Sequence, residues 1–249
     1  MRREENAGKK TKKKKKIVFN KKFFSLFSQN RVVSNVHAVI STVLSFIALC
    51  TSRSFFDGNV IGSFTVLMTS SYLFFDFIQI VVYHEALWDR MTVLHHVCGF
   101  LGFSYAMRTL QLQNIVLMFV FTEITTPFVN ARWFLYKLHM QDSLLYILNG
   151  GIMLLGFLVF RIGMNPLTAY FVYQNAAIFF SANDPILYFT VVTLWGAEII
   201  FNSYWTYLIA KGFFKALFGG QKKSASASKE NGAKKPESIA LSGKAKKAD

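Results

Sequence analysis

Four places in this chain put titratable side chains inside otherwise apolar runs: Asp76, the adjacent pair His95 and His96, Glu123, and Glu198 with Asn202 close by. A group that ionises is costly in hydrocarbon, so it normally faces a protein interior or a polar cavity. Helical rise puts Asp76 and Glu123 about 10 Å, and the two histidines about 5 Å, from the same end of their runs. Glu198 lies deeper. A histidine beside a carboxylate can take a proton from a hydroxyl or amine. In that chemistry His95 or His96 is the general base and Asp76 or Glu123 orients it, in a cavity open to one leaflet. The same residues read equally well as structural. Histidines near a helix start can bond neighbouring backbone or lipid headgroups, and Asp76 and Glu123 can pair with His95, His96 or Tyr72 to hold helices together. A metal site is not expected. Successive helical side chains turn by about 100°, so His95 and His96 cannot both face one point, and no His-x-x-x-His spacing is present.

The elements that must position these groups are apolar helices. The chain has 249 residues, of which 53% are hydrophobic and 16% charged, with 27 Phe. A soluble domain usually carries about 25% charged residues. Residues 1–31 hold twelve Lys and Arg against Glu4 and Glu5. Residues 211–249 hold ten Lys against Glu230, Glu237 and Asp249. The stretch 32–210 has only six basic and eight acidic residues, so the basic excess sits on the two ends. Spans of about 20 apolar residues cross a bilayer. The runs at 32–49, 60–83, 92–107, 112–129, 143–160 and 185–209 are expected to be six of them. The run 167–180 is bounded by Pro166 and by Asn183-Asp184-Pro185, and reads as a re-entrant or interfacial helix. Pro127, one turn after Glu123, should kink the fourth span or help end it. Residues 17–27 are an interfacial amphipathic helix or merely an apolar lead-in.

The expected fold is therefore an all-α, multi-pass transmembrane helical bundle of six spans with a re-entrant helix. Its domains are a basic cytosolic N-terminal tail at 1–30, a transmembrane domain at 31–212 and a basic disordered cytosolic tail at 213–249. The positive-inside bias places both ends in the cytosol. Arg53, Arg108 and Arg161 then close spans on the opposite side, while Arg90, Arg132 and Lys137 are cytosolic. Asn130, Arg132 and Trp133 read as interface anchors, with Arg132 meeting phosphate and Trp133 in the aromatic belt. The lysine-rich ends carry no interleaved aromatics and no recognition motif, so nucleic acid is not an expected partner; anionic lipid is. Cys50 and Cys98 lie in or beside apolar runs and read as small packing residues. Lys246 and Lys247 stand fourth and third from the end, and resemble a dilysine retrieval signal of the endoplasmic reticulum that coat proteins would read. No cleavable signal peptide is expected.

A further ordered set of residues runs through the apolar middle: Arg31-Val-Val-Ser34 with His37; Ser71-Tyr72 followed by Asp76; Leu94-His95-His96; Glu123-x-x-x-Pro127-Phe128; Asn130-x-Arg132-Trp133-Phe134; and Arg161. In order and spacing this set, over about residues 30–212, resembles the TLC domain family, which includes ceramide synthases and translocation-associated membrane proteins. It is similar in particular to the TLC domain-containing protein 4 subgroup. The resemblance implies an endoplasmic reticulum membrane, six or more helices and a lipid-linked function. His95 and His96 match the paired histidine of the ceramide synthases. The downstream acidic part departs: Glu123 is followed by Ile124, Thr125 and Thr126, with no His-Asp step and no second acid three residues on.

The leading expectation is thus a protein that binds, senses or adjusts membrane lipids, with a cavity lined by Asp76, His95, His96, Glu123, Glu198 and Asn202. A second is a lipid acyltransferase using His95 or His96, with acyl-CoA as co-substrate; no cofactor is otherwise expected. A third is a structural or chaperone-like membrane protein acting through its basic ends. A transporter is a further alternative that no internal repeat supports. The sequence does not fix the oligomeric state.

Overall fold

The computed structural model describes residues 2–54, 57–109, 112–174 and 185–232, and all regular structure among them is helical. The elements are α1 (Arg2–Thr51), α2 (Val60–Val82), α3 (His84–Leu87), α4 (Arg90–Thr109), α5 (Gln113–Phe121), α6 (Thr126–Lys137), α7 (Leu144–Gly156), α8 (Met164–Gln174) and α9 (Pro185–Gly232). A 3-10 turn, Thr122–Thr125, joins α5 to α6, and a π-helical turn, Phe157–Ile162, joins α7 to the start of α8.

The helices are polar inside and apolar outside. On α1 the buried face is His37, Ala38, Ser41, Thr42, Ser45 and Ala48, while Val32, Val36, Val39, Val43 and Phe46 are exposed. On α2, Thr65, Thr69, Ser70 and Asp76 point inward; Phe64, Leu67, Phe74, Phe75 and Ile78 point outward. Water would penalise that outer surface, whereas lipid does not. Small and hydroxyl residues at the contacts let the backbones approach and let polar groups bond across helices. Ser41 and Ser45 donate to the carbonyls of Ala38 and Thr42 within α1, so their inward hydroxyls are satisfied.

Four stretches among the described residues are long and apolar enough to cross a membrane: Phe27–Thr51, Val60–Val82, Gln113–Lys137 and Leu144–Gln174. Two of them run past their expected ends at 129 and 160. Pro127 does not end its helix. It lacks the N–H that would bond the Glu123 carbonyl, and the Thr126 N–H takes that carbonyl instead. The turn tightens to 3-10 and the helix runs on to Lys137. Likewise Arg161 does not close a span. The Gly163 N–H bonds Leu158 O at 3.0 Å, a π-type link, and the chain continues helically into α8. The described part of the expected re-entrant helix, α8, packs beside α5, with Val172 against the apolar cluster; its remainder, 175–180, lies outside the described residues. The helices also extend into both basic ends, beginning at Arg2 and reaching Gly232. Lys, Glu and Ala are good helix formers, so these polar stretches do not oppose the helix.

The packing order closes a ring: α1 on α2, α2 on α4, α4 on α9, α9 on α7, α7 on α6, and α6 back on α1. The 3-10 turn at Thr122–Thr125 divides the fourth apolar helix between two tasks. Its α6 half completes the ring. Its α5 half is buried against α1, α2, α4 and α8 and shuts one end. There Leu112, Ile115, Val116, Leu117 and Val120 pack with Ala48 and Val66. A polar latch lies beside them. The Gln113 amide donates to Ser63 Oγ at 2.8 Å and accepts from the Asn59 backbone N–H at 2.8 Å. Asn59 donates to Ala48 O at 2.8 Å and caps α2 by accepting from the Gly62 N–H at 2.7 Å. A Cβ on Gly62 would run into the Gln113 amide, so the close approach of α2 and α5 needs glycine there.

Candidate functional site

The ring surrounds a cleft of about 670 Å³. Asp76, His95, His96, Glu123 and Glu198 all line it, brought together by α2, α4, the 3-10 turn and α9. Arg31, Asn130 and Trp88 line one end. Leu112, Ile115, Val116, Phe119 and Val172 line the other, which is apolar.

The two histidines have different surroundings. His96 Nδ1 lies 2.8 Å from Thr92 O. A carbonyl only accepts, so Nδ1 carries the hydrogen. Nε2 lies 2.7 Å from Asp76 Oδ2. One proton therefore sits between ring and carboxyl, and both ring nitrogens are engaged. His96 is a helix-to-helix tie, from α4 to α2. His95 is turned about 100° away, as adjacent helical positions must be. Its ring stands edge-on to Trp205 and Phe201 of α9, with centroids 5.1 and 5.8 Å apart. His95 Nδ1 is 3.9 Å from Glu198 Oε2, beyond hydrogen-bond reach but within strong Coulombic range.

Glu123 does not meet either histidine. It pairs with Arg161, whose Nη2 lies 3.2 Å from Glu123 Oε1, and it accepts from the Thr126 hydroxyl. Arg161 Nε donates to Thr125 Oγ1 at 2.8 Å and Nη1 to Asn202 Oδ1 at 3.3 Å. Asn202 in turn donates to Glu198. The guanidinium thus joins the 3-10 turn, the π turn and α9 through one buried network. Asn202 serves that network and does not line the cleft. Arg161 is the site residue that the sequence reading placed at a membrane edge. The signal that picked out the acids, a charge within an apolar run, was present at Arg161 too. The π turn that carries it inward leaves no mark in the sequence Phe157–Ile162.

The three expected interface anchors are also internal connections. Asn130 is fully buried and holds α6 to α1: it accepts from Arg31 Nη1 at 2.8 Å and donates to Asn35 Oδ1 at 2.6 Å. Arg132 stacks on Tyr146 of α7, 4.1 Å from the ring centroid, and donates to Tyr146 O at 3.4 Å. Trp133 stacks on Phe27, with Arg31 and Lys137 each 5.6 Å from its ring. Lys246 and Lys247 lie outside the described residues. Among the described residues no group of three or more His, Cys, Asp or Glu could hold a metal.

An apolar exterior, a ring of helices and a cleft walled by ionisable groups define a multi-pass, all-helical membrane protein. The TLC domain family model matches residues 28–211, and the chain belongs to that family. Its relatives include TLC domain-containing protein 4 A of Dictyostelium discoideum, 28% identical over 76% of this chain and 74% of that protein. TLC domain-containing protein 4-B of Danio rerio is 27% identical over 81% and 79%. TLC domain-containing protein 4 of Homo sapiens is 23% identical over 88% and 82%. The chain thus stands close to the TLC domain-containing protein 4 subgroup. No solved structure matches it.

Proposed function

We propose that this protein binds a membrane lipid inside its helical ring and acts in the sensing or homeostasis of membrane lipids. The observation that carries this reading is the cleft itself: about 670 Å³, apolar at the Leu112 and Val116 end, with ionisable groups partway along. Ligand sites commonly have this size and this mix of apolar wall and few polar groups. From Glu123 to Leu112 the helix rises about 16 Å, close to half of the ~30 Å hydrocarbon thickness, the reach of an acyl chain in one leaflet. The apolar end thus suits a chain, and the polar groups suit what the chain is attached to.

In this account α4 and the apolar part of α9 join the four long apolar stretches to make six spans. The basic ends, 1–30 and 213–249, lie in the cytosol, and the membrane is that of the endoplasmic reticulum. Lys246 and Lys247 then offer coat proteins a retrieval signal.

A second reading is catalytic. It is favoured by His95, whose ring faces Glu198 while His96 is committed to Asp76 and Thr92. His95 would then be the general base and Glu198 its carboxylate, with acyl-CoA as co-substrate. Asp76 and Glu123, the carboxylates expected from sequence to orient a base, are occupied by His96 and Arg161.

Mass spectrometry of lipids retained by the purified protein tests both readings. Wild type, Leu194→Trp (which fills the cleft) and His95→Ala would be compared, with and without acyl-CoA and candidate acceptors. Retained lipid lost in Leu194→Trp, with no turnover, supports binding. Product formed by wild type and absent with His95→Ala establishes the catalytic reading instead. Equal lipid in wild type and Leu194→Trp, without turnover, removes both.

A further inference from the structure

The polar wall of the cleft is not uniform. On the α7–α9 side every group of the Arg161 network has a partner. On the α1–α2 side four buried polar atoms have none among the described residues: Thr42 Oγ1, Thr69 Oγ1, His37 Nε2 and Asp76 Oδ1. Thr42 does not line the cleft; Thr69, His37 and Asp76 do, and they are 3%, 8% and 7% exposed. Buried polar atoms are nearly always satisfied, so an unpaired set facing one cleft asks for a ligand.

The strip has a direction. Thr69 and Asp76 are seven residues apart on one face of α2, about 10 Å along the axis. His37 of α1 lies between them, its ring stacked on Tyr72 at 3.9 Å. Asp76 Oδ1 is an acceptor whichever partner holds the proton shared between Oδ2 and His96, so it requires a donor from the ligand. The Thr69 hydroxyl can give a hydrogen bond deeper in, toward the apolar end. His37 Nε2 can donate or accept according to its tautomer. The geometry points to a subsite for an uncharged, hydroxyl-bearing lipid headgroup, of the monoacylglycerol kind. Its free hydroxyl donates to Asp76 Oδ1, its ester carbonyl accepts from Thr69, and its chain continues toward Leu112 and Val116. A phosphate at this place would set its negative charge against the Asp76 carboxyl. A free fatty acid has no hydroxyl donor to offer once ionised. This inference rests on the lipid-binding reading and names the headgroup class for it.

The test is equilibrium binding of three single-chain lipids with the same acyl group to the detergent-solubilised full chain: monooleoylglycerol, oleate and lysophosphatidate. The variants are Thr69→Val, which keeps the shape and removes the hydroxyl, and His37→Phe, which keeps a ring against Tyr72. The expected order is monooleoylglycerol tightest, with each variant weakening it by about three- to tenfold, as for one hydrogen bond. Neither variant should change oleate binding. Ligand-free Thr69→Val should melt no lower than wild type, because the hydroxyl it removes has no partner. Two results overturn the inference while leaving lipid binding in place. One is oleate or lysophosphatidate binding as tightly as monooleoylglycerol. The other is unchanged affinity in both variants with a lower melting temperature for Thr69→Val, which makes the strip a structural site satisfied by water. Failure of all three lipids to bind wild type overturns the lipid-binding reading as well.

Discussion

Arg161 Nη2 meets Glu123 Oε1 at 3.2 Å across 38 residues of sequence, and each of the two stands in a turn that departs from the α-helix. The 3-10 turn exists because Pro127 cannot bond the Glu123 carbonyl. The π turn shifts the register so that Arg161 reaches the interior. Local departures from regular geometry thus build an ion pair that ties α5–α6 to α7–α8.

Breaking this pair from one side should cost far more than removing it whole. Arg161→Met leaves Glu123, half-buried on the cleft wall, without its cation and is expected to destabilise by about 2–4 kcal/mol. Arg161→Met with Glu123→Gln should recover much of that loss. Thermal unfolding of the purified single and double variants measures it, and strictly additive losses would show that the two residues do not act as a pair.

The two histidines should separate on substitution. His96→Ala leaves Asp76 without its 2.7 Å partner and is expected to cost about 2–3 kcal/mol, a charged hydrogen bond's worth. His95→Ala loses ring contacts with Trp205 and Phe201 but no hydrogen bond among the described residues, and should lower the melting temperature less. Differential scanning fluorimetry on both proteins reads the contrast. Equal losses would contradict the assignment of His96 as the structural member.

Much of this site was legible in the sequence, because ionisable residues are rare enough in apolar runs that each one marks an interior position. Asp76, His95, His96, Glu123 and Glu198 were found that way, and the cleft brings all of them together. Their pairing was not legible. Asp76 with His96 is one of several pairings that depth alone allowed. Glu123 with Arg161 depends on a helical register that apolar residues do not encode visibly. From sequence Asn130 and Arg132 look like interface anchors, because a polar group near the end of an apolar run looks alike whether it faces lipid or a neighbouring helix. The Gln113–Asn59 latch is not legible in the sequence, since amides near a span end carry no charge to mark them.

Asn130 offers a check on that distinction. Asn130→Ala removes its bonds to Arg31 and Asn35, and weakens the hold of α6 on α1. The expected loss is about 1–3 kcal/mol, whatever lipid or detergent surrounds the protein. A lipid-dependent effect with unchanged stability in detergent would return Asn130 to a headgroup role.

A lipid chain lying inside the ring is within direct reach of photocrosslinking. A single-chain lipid with a diazirine at the end of its chain would be irradiated with the protein in bilayers, and the labelled residues located by peptide mass spectrometry. Label is expected on cleft residues such as Val116, Phe119 and Phe103, competed away by excess unlabelled lipid. Label confined to outward residues such as Val39, Val43 and Phe74, and insensitive to competitor, would contradict it.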